Sequence, residues 1–216
     1  MSEFPKVIWQ THKWEYEDLP EIYQRTSKTW QVMNPDWEYR YVPNHQMRST
    51  IKELNNAELL NFFDRDTSPM FCADVWREAM VYYHGGMWSD LDAICTFPID
   101  NVTRNNMDKE MICISPIQKF GMNPENNYSN ISMEDGIDRI LSGKEYGYWI
   151  SNACFVGKKF NKISEEIINA MTGKWNFKES SFMGIRAELY DKYHELMSLD
   201  LMCAFHDGRF NHRNHI

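Results

Sequence analysis

Residues 71–94 read FCADVWREAMVYYHGGMWSDLDAI, and they decide the fold. Ser68 and Pro69 stand just ahead of them as a helix cap followed by proline at the first helical position, which predicts a helix running to His84. Gly85 and Gly86 stop it and allow the tight reversal that sends the chain into a short strand, Met87 to Asp90. That strand delivers Asp90 and Asp92 at its carboxyl end. On the helix, Asp74 and Arg77 are three residues apart and share a face, whereas Phe71, Val75 and Ala79 belong to a different, apolar one. Two carboxylates separated by one residue can grip one divalent cation. Their hard oxygens suit Mn²⁺ or Mg²⁺, which keep coordination positions open for substrate phosphates. The same residues also read as solvated carboxylates in a turn and as a surface ion pair of about half a kcal/mol.

Outward from this segment the chain alternates strand and helix signals. Lys6 to Gln10 and Trp37 to Val42 are β-branched and aromatic runs, with a helical pattern from Asp18 to Met33 between them. Helices are predicted from Asn44 to Leu54 and from Asn56 to Arg65. Beyond Asp92, Ala93 to Phe97 reads as an extended continuation, Glu110 to Ser115 as a buried strand and Gln118 to Gly147 as a long polar loop. Trp149 to Val156 reads as one strand, followed by helices over Phe160 to Thr172 and Ser181 to Leu199. The alternation predicts an α/β fold with a Rossmann-like, mostly parallel central sheet flanked by helices, and ligands at the carboxyl ends of the strands.

The length of 216 residues, with 43% hydrophobic and 25% charged, predicts a single globular domain over residues 1–216. With 23 Lys and Arg against 31 Asp and Glu the net charge is −8, which argues against nucleic acid as a partner. The opening MSEFPKVIWQTHKW has no signal-peptide pattern and no run is long and apolar enough for a transmembrane segment, so the expected localisation is cytoplasmic. Five scattered cysteines read as reduced core thiols and not as a disulfide frame or a catalytic group. Ser151 and Asn152, at a strand end, are candidate acceptor or sugar contacts.

The arrangement A-D-x-x-R, then G-G-x-W/Y-x-D-x-D, resembles the sugar-binding segment of the Asp-x-Asp glycosyltransferases of family 32. That family groups mannosyltransferases with capsular polysaccharide transferases and, more distantly, the clostridial glucosylating toxins. FPKVIWQTHK at residues 4–13 and NPDWEYRYV at 34–42 resemble two further segments of the family, in the same order. The resemblance implies a GT-A fold, with Trp9 and Gln10 on the nucleotide side, Asp74, Arg77 and Gly86 in the donor site, and Asp90 touching ribose or a water on the metal. It implies Asp92 as direct metal ligand and His206, from the C-terminal segment, as a third. The implied reaction is retaining transfer of a hexose or deoxyhexose from a nucleoside-diphosphate sugar to a sugar hydroxyl of a glycan or glycoprotein, with UDP favoured and GDP-mannose second. Arg77 and the Mn²⁺ or Mg²⁺ on Asp92 would meet the charge on the leaving phosphate. Glu134 or Asp135 would be the nucleophile if a covalent intermediate formed. Two other readings share the motif: a haloacid-dehalogenase-like Mg²⁺-dependent phosphatase with Asp90 as nucleophile, and a non-catalytic carbohydrate-binding module.

Overall fold

The computed structural model describes residues 3–114, 117–119, 148–150, 152–173, 182–199 and 204–206. Its centre is a six-stranded sheet in the order β2-β1-β3-β8-β5-β9. These are β1 (Val7–His12), β2 (Glu38–Pro43), β3 (Gly86–Ser89), β5 (Met111–Cys113), β8 (Cys154–Gly157) and β9 (Met197–Leu199). The β1 strand runs parallel to both β2 and β3, and β5 runs parallel to β9, while β8 lies antiparallel between β3 and β5. The mostly parallel α/β sheet is the expected one, with one reversed strand set into it.

One face of the sheet is covered by α2 (Asn44–Glu53), α3 (Ala57–Phe63), α4 (Pro69–His84) and α6 (Lys162–Met171). Trp76 of α4 packs edge-on against Trp9 and Trp88, whose strands are neighbours, so three indoles fill the space under the helix. The other face carries α1 (Glu21–Met33) and α5 (Ile99–Asn105), with Ile8, Trp30, Met87, Ile112 and Val156 at its core. Burying a side chain of this size contributes about 1.5–3 kcal/mol, which is why the strands read as continuous apolar runs. A last helix, α7 (Phe182–Tyr193), joins the α4 side.

The double glycine works by space and by backbone. Gly85 and Gly86 have φ of 72° and 99°, in the region that favours glycine, and a Cβ on Gly86 would overlap the Val7 carbonyl and side chain of β1. The Ser68 cap is also as expected, its hydroxyl accepting the Phe71 N–H at 3.3 Å.

Several boundaries differ from the sequence reading. The first strand runs to His12, and α1 starts at Glu21, because Tyr16–Asp18 forms a separate 3-10 turn ahead of Pro20. Ala93 to Phe97 does not continue β3. The Ala93 N–H donates to the Asp90 carbonyl at 3.1 Å, turning the chain into β4 (Ala93–Cys95), which pairs with β10 (Ala204–His206). Helix α5 went unpredicted, although Pro98 before it and Asp100 in its first turn are helix-start signals. Trp149 to Val156 is two strands: β7 (Tyr148–Ile150) pairs with β6 (Ile117–Lys119), and β8 enters the main sheet. The last helix stops at Tyr193 and gives way to β9. No helix among the described residues is long and apolar enough to cross a membrane.

Candidate functional site

The carboxyl end of β3 meets the middle of α4, and a network of charge joins them. Arg77 is the hub. Its side chain is 8% exposed and reaches Asp74 Oδ1 at 2.8 Å, Asp90 Oδ1 at 3.1 Å and the Asn152 carbonyl at 2.8 Å. The guanidinium also lies over the Trp88 ring, 4.9 Å from its centroid. Burial works against the charge, but Asp90, Asp74 and Glu78 around it hold the Arg77 pKa above its usual value. Asp74 and Arg77 do share one helix face, as their spacing predicted.

Asp90 is fixed from three sides. Its Oδ1 accepts from Arg77 and from Trp88 Nε1 at 2.9 Å, and its backbone N–H donates to the Ala153 carbonyl at 2.7 Å. Burial pushes its carboxyl up to about 6, with Arg77 opposing the rise and Asp92 adding to it. Asp92, two residues on, is 4% exposed. A buried carboxylate beside a half-buried one is costly unless positive charge is supplied, and Arg77 supplies one. Among the described residues no group of three or more His, Cys, Asp or Glu gathers around a common point. The donor chemistry of the pair is that of hard carboxylate oxygens, the kind that Mn²⁺ and Mg²⁺ take, one or two at a time, with waters and phosphate oxygens in the rest of their shell.

The remaining predicted residues separate into distinct positions. Asn152 sits in the network: its Nδ2 donates to Asp74 Oδ1 at 2.9 Å while its carbonyl receives Arg77. His206 lies in β10 opposite Ala93, so its backbone is in register one residue from Asp92. Trp9, expected against the nucleotide, instead faces α4: it is 3% exposed and its Nε1 donates to the Gly85 carbonyl at 2.9 Å. The physical reason is the strand's alternation, which turns Trp9 toward Trp76 and Gln10 to the opposite face. Gln10 is buried, its amide donating to the Asp90 carbonyl at 3.3 Å and accepting from Tyr39 Oη at 2.7 Å, so it braces the acidic turn from behind. Gly86 serves the β1–β3 approach described above. Ser151, Glu134, Asp135 and the tail beyond His206 lie outside the described residues.

Sequence reasoning missed Trp88, whose indole N–H fixes Asp90, and the buried ion pair of Glu78 with Arg186 behind the network. A glutamate on the apolar side of a helix was the available signal for the second. The described cysteines are free, and burial pushes Cys95, Cys113 and Cys154 up, which leaves them poor nucleophiles.

Sheet, helix and acidic turn together define a Rossmann-like α/β protein whose strand-end carboxylates suit a divalent cation. Residues 20–108 match the family model described as the glycosyltransferase sugar-binding region containing the DXD motif. In motif, in segment order and in fold, the chain resembles the DXD-containing glycosyltransferases. An initiation-specific alpha-1,6-mannosyltransferase of Candida albicans is 28% identical over 107 residues, 48% of this chain and 28% of that protein. The inositol phosphoceramide mannosyltransferase 2 of Schizosaccharomyces pombe is 31% identical over 98 residues, 45% of this chain and 28% of that protein. The chain thus spans little more than a quarter of the length of either relative. Among solved structures, the PaToxG glycosyltransferase superposes with a TM-score of 0.55 at 12% identity, covering 89% of this chain and 71% of that one, a likeness of fold.

Proposed function

We propose that this chain is a metal-dependent glycosyltransferase domain that moves a hexose from a nucleoside-diphosphate sugar to a hydroxyl of a glycan or glycoprotein. The observation that carries the reading is the Asp74–Arg77–Asp90 network beside Asp92 at a strand end, inside the segment that matches the DXD sugar-binding region. Asp92 and Asp90 would hold Mn²⁺ or Mg²⁺, with His206 as candidate third ligand from β10. When bound, the ion supplies Lewis-acid stabilisation of the leaving diphosphate. Asp74 is set to accept hydrogen bonds from sugar hydroxyls. Arg77 fixes Asp74 and Asp90 in one orientation and adds positive potential where phosphate charge grows. Transfer with retention follows from the family resemblance, and so does the absence of a dedicated protein base.

UDP is the first nucleotide to test, and GDP the second because the matched relatives are mannosyltransferases. In calorimetric titration of each into the purified protein, binding is expected with Mn²⁺ and not without it, and Asp92→Ala is expected to abolish it. Failure of both nucleotides to bind would sink the transferase reading. The phosphatase alternative requires an Asp90 free to attack phosphorus. An Asp90 Oδ1 engaged by both Arg77 and Trp88 counts against it.

A further inference from the structure

The 3-10 turn Tyr16–Asp18, α1, β2 and the start of α2 frame an open cleft of about 390 Å³, within the roughly 300–1,000 Å³ usual for small-molecule sites. Tyr16, Tyr39 and Tyr41 form its wall, with Glu15, Glu17 and Gln46 at the rim. Tyr16 meets Tyr41 edge-on at 5.3 Å and Tyr39 at 6.2 Å, so the rings brace one another. All three hydroxyls are engaged: Tyr41 Oη donates to the Trp14 carbonyl at 2.6 Å, Tyr39 Oη donates to Gln10 Oε1 at 2.7 Å, and Tyr16 Oη shares a hydrogen bond with Ser27 Oγ at 3.0 Å. What these rings offer a ligand is therefore carbon surface. The rim offers the opposite chemistry, because Glu15, Glu17 and Gln46 are exposed carboxylates and an amide.

The cleft is joined to the acidic turn. Tyr16 and Tyr41 pack against the small cluster of Leu19, Tyr23 and Leu91, and Leu91 is the residue between Asp90 and Asp92. One wall thus serves both places. Their electrostatics differ, however. None of the described residues lining the cleft is Lys or Arg, and Glu15 and Glu17 stand at its rim, with His45 Nε2 3.4 Å from Glu15 Oε1. Two carboxylates and no lining Lys or Arg disfavour a diphosphate there. An uncharged pyranose ring would lay its C–H face on tyrosine and donate hydroxyls to the carboxylates.

We propose that this cleft is the acceptor subsite and takes an uncharged sugar ring of the acceptor glycan, presented across the shared wall to the donor at Asp90 and Asp92. This rests on the glycosyltransferase reading above, but its test can fail separately. Methyl α-D-mannopyranoside and methyl β-D-glucopyranoside are titrated into the ¹⁵N-labelled protein without donor or metal. Shifts are expected at the backbone amides of Glu15–Glu17 and Tyr41. Glu17→Ala and Gln46→Ala, both surface changes that spare the core, are each expected to weaken that binding about five- to tenfold, about 1–1.4 kcal/mol. In a transfer assay the same variants are expected to raise the acceptor KM by a similar factor, while the Kd for UDP or GDP with Mn²⁺ stays within about twofold. If Mn²⁺-nucleotide shifts the cleft amides and the sugars do not, the cleft is a base pocket and the proposal is overturned. If the nucleotide binds at Asp92 and no sugar reaches the cleft, the proposal fails and the transferase reading stands. Sugar binding at the cleft with no nucleotide bound anywhere would support the cleft as a sugar site and remove the transferase reading.

Discussion

At the scale of single residues, Arg77 shows how one side chain organises a site. Its planar guanidinium reaches two carboxylates and a carbonyl at once, a geometry that the point charge of lysine cannot reproduce. Arg77→Met would remove the positive charge that joins Asp74 and Asp90 beside Asp92. Chemical denaturation is expected to show a loss of about 2–4 kcal/mol, and Mn²⁺-dependent nucleotide binding to weaken at least about tenfold. Arg77→Lys should recover much of the stability and little of the binding. The pairing of Asp74 with Arg77 was legible in their spacing. The Asn152 contacts were not, because Asn152 is 75 positions away from Arg77 in sequence and only sheet topology brings it close. Trp9 was misread for a related reason: a strand end shows an aromatic in sequence without showing which face it takes.

Among elements, the turn between α4 and β3 and the anchoring of α5 carry separate predictions. Gly86→Ala forces a Cβ into the Val7 backbone at a positive φ, whereas Gly173, with φ of 81°, would meet nothing within 4 Å. The first substitution is expected to cost more than about 3 kcal/mol in urea denaturation and to separate β1 from β3, and the second only about 1 kcal/mol of backbone strain. In α5, burial raises the Asp100 carboxyl, but hydrogen bonds from Lys6 at 2.6 Å and Trp37 at 2.8 Å outweigh it and hold it below the usual carboxylate range. A carboxyl depressed in the fold stabilises it above the unfolded pKa, and the contribution is lost as pH falls through the folded value. Asp100→Asn is therefore expected to lower the midpoint of thermal unfolding more at pH 7 than at pH 3. Equal effects at both values would show that the pair contributes no pH-dependent stability. The sequence marked most helices through caps and periodicity, and Pro98 with Asp100 marked the start of α5, which the reading passed over.

Across the whole molecule, the C-terminal helix is held to the site helix by a buried ion pair. Glu78 and Arg186 are both fully buried, and the Arg186 guanidinium lies 3.8 Å from the centroid of the Phe155 ring of β8. Burial raises the Glu78 carboxyl, and Arg186 pulls against that rise. Removing one partner with Arg186→Met should destabilise by about 3–5 kcal/mol, and adding Glu78→Met should restore part of the loss, as a double-mutant cycle would measure. Additive losses would mean that the pair is not coupled. The sequence by itself determined the mostly parallel α/β class, the helix that ends in Gly85 and Gly86, and the delivery of Asp90 and Asp92 at a strand end. These follow from local physics: caps, glycine conformations and side-chain periodicity act over a few residues. The tertiary structure alone decided that β8 runs backwards between β3 and β5, that Asn152 completes the Arg77 network and that Trp9 turns into the core. It also set β10 beside the turn that follows Asp92 and three tyrosines around one cleft. Those outcomes depend on which strands pair and which faces meet, and pairing across dozens of residues is settled by total burial and hydrogen bonding in the folded chain, which no local pattern records.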